Sequence, residues 1–158
     1  MSDGERAKAT VLRLVERVWN GHDLDLVDDL FPAAVDNGPD RPAGPGFIRS
    51  WHRETRESFP DLHDAVDELL AEGDRVVLRW TATGTQRGAF GPIPPTGRVV
   101  TYAGVHVFTV EGEQITDLWS LNDTFAKVIQ LGAEIRPPCP GAEFGSAEPD
   151  AEPPPPSA

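Results

Sequence analysis

The hydrophobic period of this chain changes once, at Phe59-Pro60-Asp61, and that change restricts the fold class it can adopt. Before it, Ala7, Val11, Leu14, Val15, Val18 and Trp19 recur at the three-to-four-residue spacing of one helix face. Asn20-Gly21 stops that helix, and Asp23 is placed to cap a second one carrying Leu24, Leu26, Val27, Leu30 and Phe31. A loop rich in turn residues, Asp36 to Gly46, leads to a third helix over Phe47 to Ser58. Beyond the change, Leu62–Ala71, Arg75–Thr85, Arg98–Val110 and Ile115–Asn122 read as strands. Glu72-Gly73-Asp74 and Glu111-Gly112-Glu113 are hairpin turns, and a Gly/Pro-rich crossover from Gly88 to Gly97 separates the middle strands. Helices followed by antiparallel strands predict an α+β fold: a curved antiparallel sheet covered by the N-terminal helices and enclosing a pocket.

The 158 residues suffice for one domain with a real core. The segment 137–158 stands apart: it holds eight prolines and no Lys or Arg, and it ends in Pro153-Pro-Pro-Pro156. Such a segment buries too little apolar surface to order itself, so the expected domain is 1–136, followed by a disordered acidic tail. The single cysteine, Cys139, falls in that tail, where nothing holds or activates a thiol. One cysteine forms no internal disulfide, which points to a reducing, cytoplasmic setting. No signal peptide is read at the N-terminus, and no apolar run approaches the roughly 20 residues of a membrane span. With 14 Lys+Arg against 26 Asp+Glu the net charge is −12, which argues against nucleic acid or an anionic membrane as partner.

The last strand, Ile115 to Asp123, concentrates the candidate chemistry: Trp119, Ser120, Asn122 and a carboxylate at its end. A carboxylate at the end of a half-buried strand is costly unless it is solvated, paired or used. Two readings of Asp123 stand. In an apolar cavity, desolvation raises its pKa and makes it a base near neutral pH. Outside the cavity, it caps the helix that starts at Thr124.

The series Phe59-Pro-Asp-Leu62, Glu72-Gly-Asp-Arg-Val76, Arg79-Trp-Thr-Ala-Thr-Gly-Thr85, Pro94-Pro-Thr-Gly97, Gly104-Val-His-Val-Phe108, Trp119 to Asp123 and Gln130-Leu-Gly132 resembles the SnoaL-like polyketide cyclases. The likeness covers about residues 8–133, and its weight lies in the order and spacing of the segments. It implies the cone-shaped fold of the nuclear-transport-factor-2-like superfamily. Members of that superfamily catalyse aldol-type ring closure, hydroxylation, epoxide hydrolysis or isomerisation, or only bind. The family's cyclases use no metal or cofactor: an Asp acts as acid/base, with a His nearby. By resemblance the His falls on His106, and the acid/base Asp falls on Ser120. Asp123 matches an acidic position three residues later, and Gly84-Thr-Gln86 stands where Gly-Thr-His is common.

Which side chains join His106 depends on the hairpin register. A two-residue turn at Glu111-Gly112 would pair His106 with Asp117 and put Trp119 and Asp123 on one face. A three-residue loop would align His106 with Leu118, Ser120 and Asn122, and the resemblance favours this register. His106 is the one histidine inside an expected strand core, read either as a pocket residue or as a satisfied core residue. Trp80, Tyr102, Phe108 and Trp119 form the floor of a pocket for a flat ligand or belong to the ordinary core, at least two of them to the core.

A Schiff-base aldolase needs a buried lysine; Lys8 and Lys127 both lie on expected helices, which sets that chemistry aside. No spacing of His, Asp or Glu resembles a metal site, and no phosphate-loop motif occurs. The leading expectation is a cofactor-free enzyme that removes a proton alpha to a carbonyl of a hydrophobic polyketide-like substrate. In it His106 and Asp123 form the acid/base pair, Ser120, Asn122 and Tyr102 orient the substrate, and cyclisation or rearrangement follows. A hydroxylase lacking the cyclase Asp and a non-catalytic binding protein are the alternatives. The resemblance further implies a homodimer or homotetramer.

Overall fold

The computed structural model describes residues 2–39, 41–134 and 136; the expected tail, 137–158, with Cys139, lies outside the described residues. Helix α1 spans Asp3–Arg13 and starts on a capping box, in which Ser2 Oγ accepts from the Glu5 amide and Glu5 accepts from the Ser2 amide. It continues over Leu14–Trp19 in a wider π-type turn, where the Asn20 amide donates to the Val15 carbonyl at 2.9 Å. The apolar stripe predicts one unbroken helix; the widened turn shifts the side chains at its end, Trp19 among them.

The second helical stretch is short, a 3₁₀ turn at Leu24–Leu26 and then α2 at Val27–Leu30. Asp23 does not cap it, because its carboxylate pairs with Arg17 at 2.6 Å instead. Helix α3, Pro45–Ser58, starts two residues before Phe47, on a proline whose missing N–H costs nothing in a first turn.

Four strands follow: β1 His63–Glu72, β2 Arg75–Thr85, β3 Val99–Glu111 and β4 Gln114–Asn122, and then α4, Thr124–Gln130. They form one curved antiparallel sheet in the order β1-β2-β3-β4. Val76, Leu78, Phe108, Val110 and Leu118 on its inner face are buried with Val11, Leu14, Val15 and Val18 of the first helix. This is the expected α+β cone. Among the described residues, no helix is long and apolar enough to cross a membrane.

The β3–β4 register differs in detail from both turns considered. Glu111 pairs with Gln114 across Gly112-Glu113, and a bulge between Thr109 and Val110 then shifts the register so that His106 pairs with Ser120. The bulged region is held by a fifth segment, since the Asp36 amide donates to the Thr116 carbonyl and the Leu118 amide donates to Asp36. The parity is therefore the one the resemblance favours, reached through a bulge rather than a longer loop.

Candidate functional site

Between the inner face of the sheet, α3 and α4 lies a cavity of about 510 Å³, within the size range of small-molecule sites. Its lining includes Trp19, Trp51, Phe90, Trp80, Tyr102 and His106, with Asp64, Asn122 and Lys127 as polar members. A smaller space of about 30 Å³ adjoins it, with His106, Trp19, Trp51 and Asn122 in both walls and Ser120 and Arg41 in the second.

Strand alternation aims the floor residues. Trp80 of β2 pairs with Gly104 of β3 and stacks on His106 with ring centroids 5.2 Å apart. A Cβ at Gly104 would stand 2.3 Å from the Trp80 ring, so only glycine lets the indole lie flat across β3. The Nδ1 of His106 and the Ser120 hydroxyl lie 2.8 Å apart. Burial, with a smaller push from the Arg41 guanidinium, lowers the His106 pKa to about 3. The imidazole is thus neutral near pH 7, held between rings as a hydrogen-bonding wall.

Trp80, Tyr102, His106 and Asn122 line the main cavity, and Ser120 lines the adjoining space. Three candidate positions do not. Phe108 is fully buried in the core beneath His106, their ring centroids 5.7 Å apart. Trp119 pairs with Val107 on the outer face of the sheet and is 43% exposed, because the register that turns Ser120 inward turns its neighbour out. Asp123 is exposed at the N-cap of α4, where its Oδ1 accepts the Ala126 amide at 2.8 Å. The capping reading of Asp123 is the one the geometry adopts.

Three carboxylates line the cavity: those of Glu54 and Glu57, both exposed residues of α3, and that of the partly buried Asp64. Asp64 pairs across the sheet with Ala82 and shares the inward face of Leu62. Its backbone is clamped from the end of the first helix: Asn20 Nδ2 donates to the Asp64 carbonyl and the Asp64 amide donates to Asn20 Oδ1, both at 2.9 Å. Arg56 ties the same corner together by donating to the Leu62 and Trp19 carbonyls. Desolvation raises the Asp64 pKa, against the opposing pull of Arg56, His63 and Lys127. Its carboxylate joins no ion pair among the described residues.

Lys127 corrects the expectation that no lysine is buried. It is 8% exposed, on the α4 face that also carries the buried Leu131. Gln130 docks that helix on β3 as a mimic of backbone pairing, donating to the Thr101 carbonyl and accepting its amide, both at 2.8 Å. The Nζ lies 3.9 Å from the Tyr102 ring centroid and 4.7 Å from that of Phe90. Burial lowers its pKa to about 8, against an opposing pull from Asp64. Burial also raises the Tyr102 pKa, so its phenol stays a neutral donor.

The mouth is set by the crossover loop. Gln86, which departs from the common histidine, is fully buried; its Oε1 accepts from the Thr96 amide at 3.1 Å and the Thr96 hydroxyl at 2.6 Å. Gly88 passes so close to α3 that a Cβ would meet the Glu57 carbonyl at 2.1 Å. That clamp brings Phe90 to the rim.

Asp64 and Lys127 carried a legible signal. Asp64 is two residues from Leu62 in an alternating strand, and Lys127 is four residues from Leu131 in a helix. Among the described residues, no group of three or more His, Cys, Asp or Glu could hold a metal ion.

The model of the SnoaL-like polyketide cyclases matches residues 9–131. Among solved structures, AclR of Streptomyces galilaeus, a proposed hydroxylase, is 30% identical with a TM-score of 0.73, over 83% of this chain and 98% of that one. IdmH of Streptomyces antibioticus, a proposed polyketide cyclase, is 25% identical with a TM-score of 0.70, over 80% and 99% of the two chains. A proposed SnoaL-like polyketide cyclase of Jannaschia Sp. CCS1 is 24% identical with a TM-score of 0.76, over 85% and 97%, a likeness of fold. No curated protein matches the sequence.

Proposed function

From the premise that the chain belongs to the SnoaL-like polyketide cyclase family, we propose that it is a cofactor-independent acid/base enzyme acting on a hydrophobic, polyketide-like carbonyl compound of secondary metabolism. The reaction is removal of a proton alpha to a carbonyl, followed by ring closure or rearrangement. The observation that carries this reading is Asp64: a carboxylate with a raised pKa and no ion pair among the described residues, set in the wall of an aromatic cavity. Such a group is a base matched to an activated C–H bond. It takes the role expected of Asp123, whose oxygen is committed to the α4 cap. His106 remains in the site as a neutral partner of Ser120, orienting the substrate together with Tyr102 and Asn122. Trp80 and Trp51 supply flat apolar contact area.

The test is exchange of α-hydrogen for deuterium in a polycyclic β-dicarbonyl compound, followed by mass spectrometry. The wild-type protein catalyses exchange, and Asp64→Asn, folded as judged by circular dichroism, does not. Exchange at the wild-type rate in Asp64→Asn removes Asp64 from this role, and binding without exchange in either protein favours a pure binding function. A second reading, hydroxylation, is supported by the 30% identity to AclR and by Ser120 at the position of the cyclase Asp. Incorporation of heavy oxygen from O₂ into product would select it.

Two further parts of the reading concern the setting. The lone Cys139, unable to form an internal disulfide, supports a cytoplasmic site of action. Leu70, Val99, Trp119 and Leu121, all exposed apolar residues on the outer sheet face, support a homo-oligomer. Sedimentation of the full chain as a monomer at micromolar concentration would remove that part.

A further inference from the structure

We propose that Lys127 is the oxyanion-binding group of this cavity, so that its substrates are compounds whose enol or phenol oxygen is taken up as an anion. The inference rests on the acid/base reading above and assigns the half of it that Asp64 leaves open. A base that removes an α-proton leaves an electron pair on the carbonyl oxygen, and that developing charge needs a preorganised partner.

Lys127 is the cation in the cavity wall that is placed to supply it. Its ammonium is surrounded by the rings of Tyr102, Phe90 and Phe59, with Nζ 3.9, 4.7 and 5.8 Å from their centroids. Ring faces stabilise the charged form without consuming its hydrogens. Among the described residues it has no ion-pair partner, Asp64 included. A buried cation with unspent donors facing a cavity is costly unless a ligand completes it.

The same wall contains other incomplete groups. Trp19 Nε1, Trp80 Nε1 and Asn122 Oδ1 are buried without a hydrogen-bond partner, and all three residues line the cavity. Two donors and one acceptor fit a ligand that carries both carbonyl and hydroxyl oxygens, as an enolised dicarbonyl does.

The charges balance through the step. At the start Asp64 is a carboxylate and Lys127 an ammonium. The C–H bond breaks and its proton passes to Asp64. The electron pair forms the C=C bond of the enolate, and the negative charge now resting on oxygen is held by the Lys127 ammonium, which keeps its own protons. The cavity therefore stays near neutral throughout, which a low-dielectric site requires. The lysine acts as a cation rather than as the nucleophile of an imine, because a pKa lowered only to about 8 leaves the amine protonated near pH 7, without the free electron pair that imine formation needs.

The experiment uses 2-naphthol, a flat phenol whose absorbance spectrum distinguishes the neutral from the ionised form, with the full chain at pH 7. In Asp64→Asn the neutral amide stands in for protonated Asp64, and bound naphthol is expected as naphtholate. Adding Lys127→Met returns the bound spectrum to the neutral form and weakens binding roughly 10- to 100-fold, the worth of a hydrogen bond to a charged group. Adding Lys127→Arg instead retains the naphtholate spectrum. A neutral spectrum in Asp64→Asn, an unchanged naphtholate spectrum in the double variant with Met, or no binding to either protein overturns the proposal. Failure of the base role reads differently: deuterium exchange persists in Asp64→Asn while the naphtholate spectrum still depends on Lys127.

Discussion

Asp64 and His106 face one cavity from different strands, and the fold holds them in different electrical states. Asp64 lies near the start of the edge strand β1 beside Lys127 and Arg56, where its charged form still has cations within reach. His106 lies in the interior strand β3 between Trp19, Trp80 and Phe108, where no anion among the described residues offsets desolvation. Burial therefore makes a usable base at one position and silences an ionisable group at the other. The lesson is that a titratable residue in a pocket is not by that fact a proton carrier; the charges within reach of it decide.

That contrast can be broken by experiment. The largest effect falls on Asp64: Asp64→Asn lowers α-proton exchange by about 10²- to 10⁴-fold, the range of general-base catalysis, with the fold intact. His106→Leu acts on stability instead. The folded pKa of His106, about 3, lies below its ordinary value of 6.5, so the unfolded chain binds more protons between those pH values. Wild-type stability falls as pH drops through that window, by about 5 kcal/mol when complete. Urea unfolding at pH 7 and pH 4 should show this loss in the wild type and a smaller one in His106→Leu; equal losses would mean that His106 is not held neutral.

The charged wall predicts a pH profile. Exchange rises as Asp64 loses its proton, above the usual carboxylate range because its pKa is raised, and falls as Lys127 loses its own near about 8. Lys127→Arg should carry the alkaline limb upward, because a guanidinium does not titrate there. An alkaline limb that stays in place assigns it to another group. The smallest effect falls on Asp123. Asp123→Ala removes the cap of α4 at a cost of about 1 kcal/mol and leaves exchange at the wild-type rate; a large loss of exchange would return Asp123 to the chemistry.

Much of this was legible in the residues. The strands were bounded to within about one residue because alternation and Glu-Gly turns mark them locally. Asp64 and Lys127 were legible in principle, each sharing a face with a buried leucine, but a charged residue reads as solvated until a partner from elsewhere in the chain covers it. The placement of Ser120 beside His106 depended on a bulge that no local pattern announces, and with it went the outward turn of Trp119.

By itself, then, the sequence determined the order and type of the main elements and the family, since helical and strand periods and turn chemistry act between neighbours along the chain. Only the tertiary structure decided which carboxylate faces the cavity and which caps a helix, and that Lys127 sits among aromatic rings. Those outcomes rest on desolvation and charge proximity between residues 63 positions apart in the case of Asp64 and Lys127. Such effects exist only once packing has removed water and brought the groups together.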